Sequence, residues 1–221
     1  MYNYIGKDMK LYYGSETYFT SPSFGLGKST NDYGLGFYMT DSYELAKLWA
    51  TKSKNGGYVL TFDFDMEGLN VLNLKDYDEE NVLKWISILV NHRFDFIERE
   101  RYKERIDWLN KKFHIDLDNV DVIIGYRADD SYFNYSRAFV ANELSFEILT
   151  EAMRIGKLGL QYVAISKKAY KKLKFIKSNK YPHTSDYDMF QKRSLSEYNE
   201  IKKTDKDTNT FIRDLVRKYG D

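Results

Sequence analysis

Three short segments contain residues suited to ligand chemistry: Leu11-Tyr-Tyr-Gly-Ser15, Gly34-Leu-Gly-Phe-Tyr38 and Gly159-Leu-Gln-Tyr-Val-Ala-Ile165. A phenol offers a flat face for stacking and a hydroxyl for hydrogen bonding, and glycine lets backbone groups approach a ligand closely. Each segment alone is a weak signal, since a strand followed by Gly-Ser is common. Their order along the chain, with brief strands entered through glycine, is more informative.

In this order the segments resemble the ADP-ribosyltransferase superfamily, in its diphtheria-toxin-like and poly(ADP-ribose)-polymerase-like branch. That branch carries a His-Tyr-Glu signature on three separate strands. The chain looks still closer to a bacterial domain family of unassigned function within this superfamily, whose members often sit in toxin–antitoxin gene pairs. The resemblance spans roughly residues 9–176, and its most specific piece is Asn31-Asp-Tyr-Gly-Leu-Gly-Phe-Tyr-Met-Thr40.

The resemblance implies that NAD binds as a substrate, with no metal. Gly14 would let backbone groups clamp the nicotinamide carboxamide, and Ser15 would hydrogen-bond a ribose hydroxyl. Tyr38, in the same glycine–tyrosine motif as Gly36, would stack on the nicotinamide ring. Lys28, in the preceding loop, is expected either to contact the pyrophosphate or simply to be solvated.

Two of the three signature positions depart from the superfamily pattern. Tyr13 stands where the superfamily has the histidine that binds the adenosine ribose, and Gln161 where it has the glutamate that binds the nicotinamide ribose. Cleavage of the nicotinamide–ribose bond builds positive charge on the ribose, and an amide stabilises that charge less than a carboxylate. Loss of such electrostatics commonly slows a reaction about 10²–10³-fold.

Asp129 and Asp130 are the obvious carboxylates to compensate for this loss. They follow a predicted buried strand and lie beside Arg127, on a loop of the kind that often carries functional groups. The alternative is a turn in which Ala-Asp-Asp-Ser caps the next helix. The sequence leaves both interpretations open.

Hydrophobic periodicity and turn residues predict the elements that position these segments. Helices are expected at about 43–53, capped by Asp41-Ser42, over 78–112 as a helical insertion, and at 132–142 and 145–155. The charge run at 98–105 is interpreted as a solvated helix face. Strands are expected at 9–13, 34–40, 58–65, 69–74, 120–124 and 161–166, with 169–176 leading into a last one; residues 20–31, 125–131 and 156–159 are expected to be loops or turns.

The predicted fold is α+β. The resemblance makes it an ADP-ribosyltransferase-like split antiparallel β-sandwich over residues 1–178, followed by a peripheral helical tail over 179–221. One short amphipathic helix is expected in the tail, around Phe211-Ile-Arg-Asp-Leu215.

Composition limits the class of protein. The sequence has no cysteine, which excludes disulfides and a cysteine nucleophile and makes a reducing cytoplasm the expected location. No apolar run suits a bilayer, so no membrane partner is expected. The formal net charge of +1 mildly disfavours nucleic acid, although a neutral protein can carry a local basic stripe.

Three functions follow from these observations. The first is a mono-ADP-ribosyltransferase acting on a macromolecular acceptor as the toxin of a toxin–antitoxin pair. The second is an inactive module that binds NAD or ADP-ribose, motivated by Tyr13 and Gln161. The third is an interaction protein whose aromatic surface and C-terminal residues engage an antitoxin.

Overall fold

The protein combines one mixed β-sheet with helices, which confirms the predicted α+β class. The structure is a computed structural model that describes residues 9–76, 78–128, 130–155 and 160–220, without the side chains of 130–132 and 154–155. Within these residues the sheet has the strand order β4-β5-β6-β2-β1-β3-β7. The strands are β1 Met9–Ser15, β2 Phe37–Thr40, β3 Gly57–Phe64, β4 Val71–Asn73, β5 Val122–Tyr126, β6 Leu160–Ala164 and β7 Leu173–Tyr181.

The helices occupy both the predicted insertion and the C-terminal part of the chain. In the described residues they are α1 Tyr43–Thr51, α2 Glu79–Arg93, α3 Phe96–Arg101, α4 Lys103–Phe113, α5 Asp130–Val140, α6 Phe146–Ile155, α7 Lys167–Lys171, α8 Asp186–Lys202 and α9 Ile212–Tyr219. Helix α1 begins as predicted, because the Ser42 side chain accepts a hydrogen bond from the Leu45 amide at 3.2 Å.

The sheet divides at its middle, between β1 and β2. These two strands pair antiparallel at a single register position, Tyr12 opposite Thr40. By contrast, β1 pairs with β3 along its whole length, from Met9 opposite Phe64 to Ser15 opposite Tyr58. We call β1, β3 and β7 the first half-sheet, and β2, β4, β5 and β6 the second half-sheet; the seam is the line between β1 and β2.

The two half-sheets share one apolar core on one of their faces. Leu11, Phe62 and Phe64 of the first half-sheet are fully buried in the same cluster as Val122 and Ile124 of the second. On the opposite face, α1 packs against β1 and β3, with Ala46 and Ala50 against Val59. The larger helical layer of α2, α4, α5 and α6 covers the second half-sheet there, around Trp85, Phe139 and Leu149.

Several predicted boundaries were wrong, and strand pairing explains the differences. Strand β1 continues through Gly14-Ser15 because both residues remain paired with β3. Likewise, β5 includes Gly125-Tyr126, expected in a loop, because Tyr126 pairs with Leu160. The expected helical region 78–112 is three helices, since Asp95 forms a capping box that starts α3. The predicted turn at 156–159 lies outside the described residues.

The C-terminal residues close the helical layer. Strand β7 runs past residue 178 to Tyr181 and is the outer strand of the first half-sheet. Helix α8 lies within the expected helical tail, although its bounds were not predicted, and α9 coincides with the expected amphipathic helix. Ile212 and Leu215 of α9 are fully buried, and the Trp108 indole N–H donates to the Gly220 carbonyl at 3.0 Å.

Candidate functional site

A cavity of about 300 Å³ opens at the seam. It lies where β1 and β2 separate beyond their single pair, so Tyr13 and Gly14 of β1 face Phe37 and Tyr38 of β2 across it. The lining residues come from both half-sheets, α1, the end of α2 and the loops that follow β1 and β5. They are Tyr12, Tyr13, Gly14, Leu26, Gly27, Asn31, Asp32, Gly36, Phe37, Tyr38, Met39, Thr40, Ala46, Trp49, Arg93, Arg127, Ala128 and Gln161.

Two glycines set the shape of the cavity. A Cβ atom at Gly14 would lie 2.2 Å from the Ala46 carbonyl oxygen, so the close packing of α1 on β1 requires glycine there. A Cβ atom at Gly36 would lie 2.6 Å from the Val163 side chain, on the neighbouring strand β6. Both glycines therefore have a packing reason that is independent of any ligand.

Tyr38 joins the cavity wall to the loop before β2. Its hydroxyl donates to the Gly34 carbonyl at 2.6 Å and accepts from the Tyr33 amide at 3.1 Å. Gly34 has a φ of 74°, which favours glycine at this turn. Burial raises the pKa of Tyr38 well above its usual value, so the phenol remains protonated and the ring stays anchored.

Tyr13 contributes an aromatic wall on the other side of the seam. Its ring centroid lies 4.6 Å from that of Phe37 and 5.8 Å from that of Phe19. Burial raises its pKa, so Tyr13 offers a neutral phenol to the cavity.

Asp32 is the centre of a buried polar cluster that the sequence analysis did not predict. One carboxylate oxygen accepts from the Arg93 guanidinium at 3.1 Å. The other accepts from the Ala128 amide at 2.8 Å and from the Gln161 side-chain amide at 3.2 Å. Asp32 is only 5% exposed, so all of these bonds form away from bulk water.

The bond to Asp32 sets the orientation of the Gln161 side chain. Because the Gln161 NH₂ group faces a carboxylate, its carbonyl oxygen Oε1 must point the other way. That oxygen is buried and has no hydrogen-bond partner among the described residues. A buried acceptor without a partner costs about 1–3 kcal/mol. A ligand hydroxyl in the cavity would satisfy it.

Two arginines make this end of the cavity electropositive. Arg93, in the last turn of α2, forms the buried ion pair with Asp32 and lies over the Phe133 ring. The Arg127 guanidinium lies 4.5 Å from the centroid of the Trp49 ring. With two guanidinium groups and one carboxylate, the cluster is suited to an anionic ligand group such as a phosphate.

Burial raises the pKa of Asp32 to about 6. The positive charge of Arg93 and the Ala128 hydrogen bond oppose this effect, followed by Arg127 and Gln161. Asp32 is therefore a carboxyl group that changes its protonation state close to neutral pH, within a cavity. Such groups are frequent at functional sites.

The cavity brings together most, but not all, of the residues that the sequence singled out. Tyr13, Gly14, Gly36, Tyr38, Arg127 and Gln161 line it. Ser15 and Lys28 do not: Ser15 accepts a hydrogen bond from the Thr17 amide at 3.1 Å, and Lys28 is exposed. Asp129 and the side chain of Asp130 lie outside the described residues.

Asp32, Arg93 and Trp49 are among the lining residues that sequence reasoning missed. Asp32 stands inside the block 31–40, but a single aspartate before a glycine turn has no distinctive spacing. Arg93 is a basic residue in the last turn of a helix, which is common for electrostatic reasons alone. Only the fold brings Asp32 and Arg93 together with Gln161.

The described parts of the chain give two further observations. They contain no helix that is long and apolar enough to cross a membrane. They also contain no group of three or more His, Cys, Asp or Glu side chains placed to hold a metal ion.

Comparison with known proteins identifies a family. Residues 9–175 match the family described as protein of unknown function (DUF3990), which covers more than half of the chain. The chain belongs to this family. The match begins with β1 and ends within β7, so it contains every lining residue of the cavity. No curated protein and no solved structure matches the chain.

Proposed function

We propose that this protein is an NAD-dependent mono-ADP-ribosyltransferase with an ADP-ribosyltransferase-like fold. Two half-sheets that share a core but join at one residue pair support the split-sandwich part of the proposal. The observation that carries the proposed activity is the cavity at the seam. Residues far apart in sequence, from Tyr13 to Gln161, line this one cavity, and its lining includes six of the residues that the sequence singled out.

The cavity accommodates the nicotinamide riboside part of NAD. Its volume of about 300 Å³ is at the lower end of the usual range for small-molecule sites. The nicotinamide ring stacks on Tyr38, next to the backbone of Gly14. The ribose hydroxyl donates to Oε1 of Gln161, the acceptor without a partner. Arg127 faces the pyrophosphate.

The reaction transfers ADP-ribose in one displacement at the ribose C1′ atom. The bond between C1′ and the nicotinamide ring nitrogen breaks, its electron pair stays on the nitrogen, and neutral nicotinamide leaves. The acceptor nucleophile forms the new bond to C1′ and loses its proton to solvent. The ionised Asp32 carboxylate acts through Gln161, because its negative charge polarises the amide toward the developing positive charge on the ribose.

The first experiment measures nicotinamide release from labelled NAD, together with NAD affinity by calorimetry. Tyr38→Ala removes the stacking surface and should lower NAD affinity about tenfold or more. Tyr38→Phe is the matched control, since it keeps the ring and loses only the hydrogen bonds to the loop. Equal NAD affinity in Tyr38→Ala and the wild type would remove the assigned pocket.

The structure changes what Gln161→Glu is expected to do. Glutamate would restore the superfamily residue, but it would place a second carboxyl group at hydrogen-bond distance from Asp32. Two carboxylates so close share one proton. We therefore expect Gln161→Glu not to increase nicotinamide release at neutral pH. NAD binding without nicotinamide release, in the wild type and in this variant, would instead favour an inactive NAD-binding module.

The same proposal places the protein in the bacterial cytoplasm as a toxin controlled by an antitoxin protein. Its support is the resemblance to families found in toxin–antitoxin pairs and the absence of cysteine. Expression of the protein alone should arrest growth, and Tyr38→Ala should relieve the arrest.

A further inference from the structure

The charge of the chain is concentrated in one segment. Residues 160–185, which include α7 and β7, carry seven lysines and no acidic residue, whereas the rest of the chain has 27 basic and 33 acidic residues. The formal net charge of +1 therefore conceals a basic region. A local positive surface attracts polyanions even when the whole protein is nearly neutral.

Part of this charge is not neutralised by the fold. Among the described residues, Lys172 pairs with Asp65 at 2.7 Å and Lys168 with Asp121 at 3.5 Å. Lys167 and Lys180 instead lie over aromatic rings, with the Lys167 ammonium 5.6 Å from the Phe24 centroid. The Lys180 ammonium lies 5.7 Å from the Tyr58 centroid.

The rings beneath these lysines belong to two contacting pairs, which are connected through the rings of Phe175, Phe62 and Phe37. Tyr18 contacts Tyr58, with ring centroids 5.8 Å apart, and Phe24 contacts Tyr170, with centroids 5.3 Å apart. Tyr18 and Phe24 are 53% and 48% exposed, so both rings are accessible to a ligand. We call the following residues the aromatic–lysine surface: Tyr18, Phe24, Tyr58, Lys167, Tyr170 and Lys180.

This surface is continuous with the cavity. The Tyr170 ring lies 6.2 Å from the Phe37 ring, and Phe37 lines the cavity. Leu26 and Gly27, just after Phe24, line the cavity as well. A strand that stacks on Phe24 and Tyr170 therefore lies beside the proposed NAD site.

We propose that the aromatic–lysine surface binds single-stranded nucleic acid, and that this strand is the acceptor of ADP-ribose. Exposed rings stack unpaired bases, and lysines beside them contact the phosphates, which is how sequence-independent single-strand binding works. An acidic protein would match the charge but would leave the exposed rings without a specific partner. The claim that the strand accepts ADP-ribose rests on the proposed function, whereas the claim that the surface binds the strand does not.

The binding test uses the full chain and a fluorescein-labelled single-stranded DNA of about 12 nucleotides, followed by anisotropy. Tyr18→Ala/Phe24→Ala should weaken binding about tenfold or more. Lys167→Ala/Lys180→Ala should weaken it and lower the slope of log affinity against log salt by about 1. The control Lys111→Ala/Lys192→Ala removes the same charge from exposed positions on α4 and α8 and should bind like the wild type.

Three outcomes would overturn the binding proposal. The first is equal affinity in the surface variants and the control variant. The second is equal affinity for duplex and single-stranded DNA of the same sequence. The third is displacement of the labelled oligonucleotide by polyglutamate as readily as by the unlabelled strand. The same assay with RNA of that sequence determines which strand type binds more tightly, and stronger binding of either type supports the proposal.

The acceptor test adds labelled NAD to the bound oligonucleotide. Transfer of label to the strand should fall in Lys167→Ala/Lys180→Ala, while nicotinamide release without oligonucleotide stays at the wild-type rate. Strand binding without NAD turnover would contradict the proposed function and still support nucleic-acid binding at the aromatic–lysine surface. NAD turnover without strand binding would contradict nucleic-acid binding at this surface and still support the proposed transferase activity.

Discussion

Asp32 shows how one residue can combine a structural and a chemical role. Its carboxylate holds Arg93, Ala128 and Gln161 in place, and so connects the end of α2, the loop after β5 and strand β6. The same burial that makes these bonds strong also makes the charged form costly. Hydrogen bonding and desolvation therefore act on its pKa in opposite directions, and desolvation has the larger effect.

The pKa of Asp32 predicts a pH dependence of stability. Because the folded-state pKa of about 6 exceeds the usual value of 3.8, the folded protein binds this proton more tightly than the unfolded chain. The free energy of unfolding should therefore fall as pH rises from about 4 to 6, by about 3 kcal/mol for a shift of about two pKa units. Urea unfolding of the wild type and Asp32→Asn, compared across this range, isolates the effect. Parallel pH profiles for the two proteins would contradict it.

The pocket side chains divide into those that local sequence reveals and those that only the fold reveals. Tyr13, Gly14 and Tyr38 stand within short motifs, so their grouping was predictable from the sequence. Asp32 and Arg93 are 61 positions apart, and their ion pair depends on how α2 packs beside the loop before β2. No local pattern encodes a contact of that kind.

At the scale of elements, the packing of α1 on β1 determines one side of the cavity. The approach is so close that the Gly14 α-carbon has no room for a methyl group beside the Ala46 carbonyl. The helix itself was predictable, since its apolar spacing and its Ser42 cap are local. The packing of this helix against Gly14 of β1 was not predictable, because the motif around Gly14 does not indicate which element packs on that strand.

Gly14→Ala should therefore destabilise the protein. The new Cβ would lie 2.2 Å from backbone oxygen, so α1 must move, and overpacking of this kind costs about 1–3 kcal/mol. Gly27→Ala is the control, because its Cβ would meet nothing closer than 3.6 Å. Thermal unfolding of both variants makes the comparison. A Gly14→Ala midpoint no lower than that of Gly27→Ala would contradict the packing argument.

Sequence patterns failed for elements whose pattern is weak. Helix α8 has few buried side chains, Tyr187 and Ser194, so it shows little of the apolar periodicity that reveals a helix. Strand β7 has lysine at three of its nine positions, which weakens its apolar alternation. As an outer strand it needs only one paired edge. Its pairing with β3 extends it to Tyr181.

At the scale of the whole molecule, the C-terminal helix α9 is part of the helical layer. Leu215 is fully buried with Ile212, and Lys218 and Tyr219 both bond the Glu79 carboxylate at the start of α2. The strand order could not be predicted from the sequence, because β2 and β6 are neighbours in the sheet although more than one hundred residues separate them.

Leu215→Ala should lower the free energy of unfolding by about 2–5 kcal/mol, since it leaves a cavity in the helical layer. Met189→Ala is the control, because Met189 is 56% exposed on α8. Chemical denaturation of both variants measures the difference. Equal stability would show that α9 contributes little to the core.

The seam also has a mechanical consequence. Along every other strand boundary of the first half-sheet a ladder of backbone hydrogen bonds resists shear, but one residue pair joins β1 to β2. We therefore expect the sheet to shear most easily along this line. A ligand that contacted Gly14 on one side and Gln161 on the other would connect the two half-sheets where backbone pairing is sparsest, so they would deform together.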